Sequence, residues 1–401
     1  MFKFDLLRFS GFNDEWSINK LDEISSLTSS KRIYSSDYVE TGIPFYRGAE
    51  ITQLKNNEEI KEKLFISTEK YNELKNKFGA PKKDDILVTG VGTLGNVYKI
   101  RDNAEFYFKD GNLIWIKDIT INPDFLELYL ETFKNEMLKL AIGSTQKALT
   151  IVSLEKLKVK YPNIQEQRKI ANFFEVLDNK IRLLSEKYNY YIDFKKYLMQ
   201  QIFAQKLRFN FIDDWDVVKL ETLIEKGKAG GTPPSTNPDY YNGEIPFLSI
   251  KDMTEQGKYI VKTEKSITEE GLNNSSAWII PKYSLLYSIY ASIGLVSINL
   301  TEVSTSQAIY GIILKEGVSL EYMYYYLTYF KKNIHRYVET GTQGNLNAKL
   351  LKSFEIALPS VDEQEMIVNI LSLVDKKIEN MEKEVGKMNE FKKGLLQQMF
   401  I

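Results

Sequence analysis

The sequence predicts an α+β protein in which one unit is written twice: a globular, strand-rich domain followed by a long helix, then a second such domain and helix. The two helices are expected to pair as an antiparallel coiled coil. Three observations carry this reading. The ten residues FKKYLMQQIF (residues 194–203) return as FKKGLLQQMF (residues 391–400), one residue before the chain ends. The match runs upstream without a slip, YPNIQEQRKI at Tyr161 facing LPSVDEQEMI at Leu358 and LDNKI at Leu177 facing VDKKI at Val374, with 358 − 161, 374 − 177 and 391 − 194 all equal to 197. The third observation is periodic: apolar residues in both copies advance by alternating steps of four and three, the mark of a heptad seam.

In the first helix the seam reads Ile170, Phe174, Leu177, Ile181, Leu184, Tyr188, Tyr191, Leu198 and Ile202, interrupted at Lys195. The second reads Ile367, Leu371, Val374, Ile378, Met381, Val385, Met388, Leu395 and Met399, interrupted at the matching Lys392. From first to last seam position each spans about 33 residues, roughly 50 Å of helix. That is too long for one small domain to wrap, so each helix is expected to find its partner in the other.

The globular parts repeat more loosely. NDEWSINKLDEI at Asn13 parallels DDWDVVKLETLI at Asp213, and GIPFYRGAEIT at Gly42 parallels EIPFLSIKDMT at Glu244. PKKDDILVT at Pro81 parallels PKYSLLYS at Pro281, and STQKAL at Ser144 parallels GTQGNL at Gly341. The expected organisation is therefore a first domain at 1–160, a helix at 161–206, a second domain at 207–358 and a helix at 359–401, with residues 205–209 as the hinge between halves. Within the domains, DILVTGV, FYFKDGNLIWI, SLLYSIYASIGLVSI and IYGIILK read as short strands broken by glycine. DFLELYLETFKNEML and LEYMYYYLTYFKKNI have helical spacing instead.

Composition narrows the chemistry. The chain has 401 residues, enough for two or three domains, no cysteine and a single histidine, His335. Disulfides, thiolate metal sites, thiol nucleophiles and multi-histidine metal sites are excluded. No apolar run is long enough to span a membrane, and charges break the first apolar stretch before a signal-peptide core could form, so a cytoplasmic protein is expected. The net charge of −1 argues against holding nucleic acid by bulk electrostatics alone. Any DNA contact must be local or shared with partners.

Two near-motifs do not carry chemistry. ILVTGVGTLG places Gly90, Gly92 and Gly95 in a GxGxxG pattern after a strand, but NVYKIRDNAEFYF follows as more strand, where a dinucleotide site needs a helix N-terminus. NPDF at Asn122 and NPDY at Asn237 approach the Asn-Pro-Pro-aromatic loop of adenine methyltransferases, but Asp stands in place of the second proline in both, and they read as turns. No catalytic constellation and no metal-dependent nuclease centre is visible.

The ordered elements are IPF, a GTxG-like turn (residues 92–95, loosened at 291–294), TQxxL before each helix, P-x-x-x-E-Q at each helix start and a Gln-Gln finish closed by an aromatic residue. Together with the loop GGTPPSTNPDYYNGEIPFLSIKDM at Gly230, this order resembles the specificity subunit of type I restriction-modification systems, over essentially the whole chain. The first half departs by writing SLTSSKRIY where the second has GGTPPS. The resemblance implies two target-recognition domains, a non-catalytic reader of bipartite double-stranded DNA with one domain per half-site, and helices that fix the gap. It implies two DNA-adenine methyltransferase subunits and restriction/translocase subunits as partners, no membrane, and no cofactor on this chain: S-adenosylmethionine, ATP and Mg would sit on the partners. The alternative is a free-standing pseudo-dimeric DNA-binding regulator without enzyme partners, which should carry a more basic face.

Base readout needs polar side chains on loops held by a rigid scaffold. The DNA-binding candidates are Arg47, Thr93, Thr145, Gln146 and Lys147 in the first domain, and Thr232, Ser249, Lys251, Ser292, Thr342 and Gln343 in the second. Lys31, Arg32, Lys82 and Lys83 are candidates for phosphate contact.

Overall fold

The computed structural model describes residues 7–56, 58–143, 147–209, 211–290, 292–336 and 346–400. It divides into two compact units, residues 7–184 with 384–400, and residues 185–383. Each is a globular mixed domain with segments of both long helices.

The first unit opens and closes its domain on one antiparallel pair, Ser17–Lys20 with Lys158–Tyr161. A four-stranded sheet follows in the order Ser26–Thr28, Leu113–Lys117, Ile86–Thr89, Val97–Lys99, and a second in the order Tyr38–Val39, Leu64–Ile66, Ile43–Tyr46, Tyr107–Phe108. The second unit repeats this plan. Asp216–Lys219 pairs with Glu355–Leu358. A five-stranded sheet runs Ile224–Ala229, Ile309–Leu314, Leu285–Ser288, Val296–Asn299, Tyr259–Ile260, and a three-stranded one runs Lys265–Ile267, Tyr241–Leu248, Ser304–Thr305. The central strands Ile86–Thr89 and Leu285–Ser288 are buried at every residue, which is why they read as largely apolar runs closed by the hydroxyl residues Thr89 and Ser288.

The two long helices are Ile164–Phe203 and Val361–Met399, 40 and 39 residues, longer than their seams because each begins with the E-Q turn. Every seam residue named above is buried or half-buried. Within the first unit, Asp178 pairs with Lys392 at 2.5 Å while Ile170, nearer the start of its helix, shares a core with Met399, so the segments run antiparallel. Within the second, Lys195 pairs with Asp375 at 2.6 Å while Ile202 shares a core with Ile367. The two lysines that interrupt the heptads are therefore not gaps. Each occupies a seam position and is neutralised there by an aspartate of the facing helix, at positions again related by 197.

One sequence reading needs revision in detail. DFLELYLETFKNEML is two helices, Pro123–Thr132 and Lys134–Lys139, broken at Phe133, which leaves helical geometry with its amide bonded to Tyr129. Its counterpart is continuous over Leu320–Phe330 before a 3-10 turn.

Candidate nucleic-acid interface

The E-Q turn of each long helix locks its domain to the helix. Glu166, fully buried, accepts two bonds from Arg8 at 2.9 and 2.6 Å, and Glu363 accepts the same pair from Arg208 at 3.0 and 2.7 Å. These are bidentate guanidinium–carboxylate contacts. Gln167 donates to the Pro162 carbonyl and accepts from the Asn122 amide at 2.8 Å, while Gln364 donates to the Pro359 carbonyl and accepts from the Ser319 amide at 2.9 Å. Asn122 and Ser319 are the N-caps of the helices Pro123–Thr132 and Leu320–Phe330. NPDF is thus a capped helix start with proline at its first turn, and NPDY is a short 3-10 start capped by Asn237.

The aromatic finish of each long helix seals these same elements. Phe400 lies 5.4 Å from Phe125, 6.0 Å from Tyr129 and 6.0 Å from Trp16 in the first unit. Phe203 lies 5.9 Å from Tyr322 and 5.3 Å from Tyr326 in the second. The repeated decapeptide is a plug, and each domain receives one copy.

Above this base, the GTxG-like turns are matching hairpins. The Thr89 hydroxyl donates to the Thr93 carbonyl and accepts the Asn96 amide at 2.9 Å. The Ser288 hydroxyl donates to the Ser292 carbonyl at 2.8 Å and accepts the Leu295 amide at 2.8 Å. Gly294 sits at φ +83°, a backbone conformation that L side chains rarely adopt, so the turn favours glycine. The pattern Gly90 to Gly95 is accordingly a hairpin between Ile86–Thr89 and Val97–Lys99, with no helix after it. The TQxxL segments end beside these hairpins: Leu149 donates its amide to Gly90, and Leu346 donates to Ile289.

Thr93 and Ser292 are exposed at the hairpin tips, and Lys147 is exposed on the adjoining loop. Asn96, at the foot of the first hairpin, bonds Thr52 at 3.0 Å, which brings the helix Gly48–Lys55 and its N-cap Arg47 to the same end of the domain. Thr145, Gln146, Thr342 and Gln343 lie outside the described residues.

Arg47 and Ser249 occupy matched positions, two residues beyond Phe45 and Phe247, and both serve helix caps. Arg47 donates its amide to Glu50 at 2.7 Å and its guanidinium to Glu50 and Glu62. Burial opposes the Glu50 charge, but the Arg47 guanidinium and backbone amides outweigh it and hold the carboxyl below its ordinary range. The Ser249 hydroxyl donates to Asp252 at 2.6 Å. Lys251 is exposed and bonds Glu264 at 2.8 Å, which raises its pKa. Lys31 stacks over Phe78 at 4.7 Å, and Lys82 and Lys83 are exposed.

Thr232 donates to the side-chain carbonyl of Gln307 at 2.5 Å, a partner the sequence reading missed. Arg32 donates through Nε to Asp110 at 3.0 Å, and Asp110 was missed too. Partners 75 and 78 residues apart leave no mark in local periodicity.

The model of the family described as type I restriction modification DNA specificity domain matches residues 13–190 and again 212–387. The chain belongs to that family. Among similar members, the MjaIX specificity subunit of Methanocaldococcus jannaschii is 35% identical over 47% of this chain, a match spanning 44% of that protein. The putative MjaX specificity subunit of the same organism is 26% identical over 78% of this chain and 76% of that protein. The EcoR124I/EcoR124II specificity subunit of Escherichia coli is 30% identical over 50% of this chain and 47% of that one. The fold also matches the S subunit of a type I restriction-modification system from M. genitalium, with TM-score 0.58, 17% identity and 98% of each chain covered. A chain solved in work on complex assembly and conformational transition of the type I R-M system gives TM-score 0.63 at 16% identity, over 97% of this chain and 98% of that one. This specificity-domain protein thus carries the family fold twice. Among its described residues, no helix is long and apolar enough to cross a membrane.

Proposed function

We propose that the protein is the DNA sequence-recognition subunit of a type I restriction-modification complex. Each domain reads one half-site of a bipartite target, and the long helices set the gap. The observation that supports this best is the doubling: two units share the order of four strands in their larger sheets, helix locks, plugs and hairpins, yet present different side chains at their exposed loops. Such a chain carries two readers in one polypeptide and can read two unlike half-sites. It performs no chemistry itself. Methyl transfer and cleavage belong to partner subunits, with S-adenosylmethionine, ATP and Mg on those partners, and two DNA-adenine methyltransferase subunits and restriction/translocase subunits completing the complex. The near-neutral net charge favours this over a solitary regulator, since partners can supply the cationic surface DNA requires.

Domain exchange tests the reading. Replacing residues 1–160 with the corresponding domain of another specificity subunit should change one half-site and leave the other intact, as mapped by methylation with the partner subunits present. Changes in both half-sites would sink the one-domain, one-half-site assignment.

A second test addresses the gap. The hinge residues 205–209 follow the end of Ile164–Phe203 rather than extending it, so a change in helix length belongs inside the helices. One additional heptad in each, after Glu186 and after Lys383, preserves the seam and adds about 10 Å at about 1.5 Å per residue. Duplex DNA rises about 3.4 Å per base pair along a strand. The spacer is expected to grow by about three base pairs with both half-sites retained. An unchanged spacer would show that helix length does not set the gap.

A further inference from the structure

The two units can be matched residue by residue through their sheets. Leu27 lies opposite Ile116 and Gly227 opposite Ile312, while Tyr46 pairs in parallel with Phe108 and Leu248 with Thr305. Five residues beyond Leu27 and Gly227 stand Arg32 and Thr232. Two residues beyond Phe108 and Thr305 stand Asp110 and Gln307. In each unit these two residues touch across their loops: Arg32 Nε donates to Asp110 at 3.0 Å, and Thr232 Oγ1 donates to Gln307 Oε1 at 2.5 Å.

The backbone beneath both pairs is anchored to the same strand. The Ser30 hydroxyl donates to the Phe108 carbonyl at 2.6 Å, and the Lys31 amide donates to the Tyr107 hydroxyl at 3.1 Å. In the second unit the Gly231 amide donates to the Thr305 carbonyl at 2.9 Å, and Gly230 runs so close that a Cβ would meet that carbonyl oxygen at 2.1 Å. Scaffold and contact are kept, but the chemistry is exchanged, from an ion pair to a hydroxyl–amide pair. Other matched contacts keep theirs: Arg8–Glu166 repeats as Arg208–Glu363, and Asp178–Lys392 as Asp375–Lys195.

Resting on the DNA-reading function above, we infer that Arg32–Asp110 and Thr232–Gln307 are the corresponding specificity-determining pairs of the two units, each reading one base pair of its half-site. The Arg32 side chain is 68% exposed, and Asp110 holds it by the side nitrogen, so the carboxylate does not consume the planar end of the fork. That end matches the O6 and N7 acceptors of guanine. Thr232 and Gln307 are both exposed, and Thr232 fixes the amide by its carbonyl. A side-chain amide matches the N6 and N7 edge of adenine. The first half-site therefore contains a guanine read by Arg32, and the second an adenine read by Gln307.

The experiment uses the full chain assembled with its methyltransferase subunits, binding DNA libraries in which one half-site at a time is randomised. Arg32→Gln is expected to lower the preference at a single base pair of one half-site about tenfold or more, with the other half-site unchanged. The double variant Thr232→Arg with Gln307→Asp is expected to bring a guanine preference to one position of the other half-site. Uniform weakening on all sequences with a shallower salt dependence would make Arg32 a phosphate contact and overturn the inference. Unaltered preferences in both variants, with unchanged melting temperatures, would overturn it as well. If the unmodified complex itself showed no bipartite preference, the DNA-reading function would fail first, and that control separates the two failures.

Discussion

Replacing Phe400 with alanine is expected to loosen the first unit and leave the second intact. The ring is 3% exposed and wedged among Trp16, Phe125, Tyr129 and Phe133. Removing a buried phenyl ring from such packing costs about 3–5 kcal/mol. At about 1.4 kcal/mol per tenfold change, globally protected amides in Ile86–Thr89 should exchange roughly two to four orders of magnitude faster, while those in Leu285–Ser288 hold their rates. Phe203→Ala should reverse the pattern, because that ring packs on Tyr322, Tyr326 and Tyr329. Equal loss in both units from either substitution would contradict the assignment of one plug to each domain.

The second large effect is expected at Asp375. Its carboxylate accepts the Tyr325 hydroxyl at 2.6 Å and pairs with Lys195 at 2.6 Å, and Tyr325 in turn accepts a bond from Lys258 at 3.0 Å. Lys258 is nearly enclosed by Tyr259, Tyr324 and Tyr325, with Glu321 at 3.4 Å. Asp375→Ala leaves a buried hydroxyl without its acceptor and Lys195 without its carboxylate, and leaves Glu321 as the carboxylate paired with Lys258, and is expected to destabilise the second unit by about 1–3 kcal/mol. Its pH dependence can be checked too. Burial lowers the Lys258 pKa below its ordinary 10.5, with Glu321 and Asp375 opposing the shift. The folded state then binds fewer protons than the unfolded chain between the lowered pKa and 10.5, so this group's contribution to stability rises with pH across that window. Without Asp375 the Lys258 pKa falls further, and the deficit of the variant relative to wild type should narrow as pH rises into the window. Urea unfolding at several pH values below about 10, where tyrosines stay neutral, measures it. A deficit independent of pH would mean that Lys258 is not coupled to Asp375.

The helix pair was legible because a heptad is a periodic signal, and two copies in one register confirm each other. Lys195 and Lys392 were read as breaks because periodicity counts only apolar residues, whereas the seam tolerates a cation wherever the facing helix supplies Asp375 or Asp178. The strands Ile86–Thr89 and Leu285–Ser288 showed as apolar runs, and the missing helix after Gly95 correctly set the GxGxxG pattern aside. Loop roles were harder to see. Arg47 and Ser249 are polar residues in matched loops, but polarity does not distinguish a reader from a cap; the signal for capping was the acid three residues on, Glu50 and Asp252. Asp110 and Gln307 were invisible because tertiary contact, not local pattern, brings them to Arg32 and Thr232.

The placement of the two plugs also sets an order of events during synthesis. The second domain leaves the ribosome after Phe203, so the ring that completes its core is already available. The first domain must wait for Phe400, more than 200 residues beyond its last helical segment at Leu184. At about 5–20 residues per second, that delay is roughly 10–40 seconds, during which the aromatic socket of Trp16, Phe125, Tyr129 and Phe133 is open. The domain made first is thus the domain finished last, and until Phe400 is made the fault in the chain lies near its beginning.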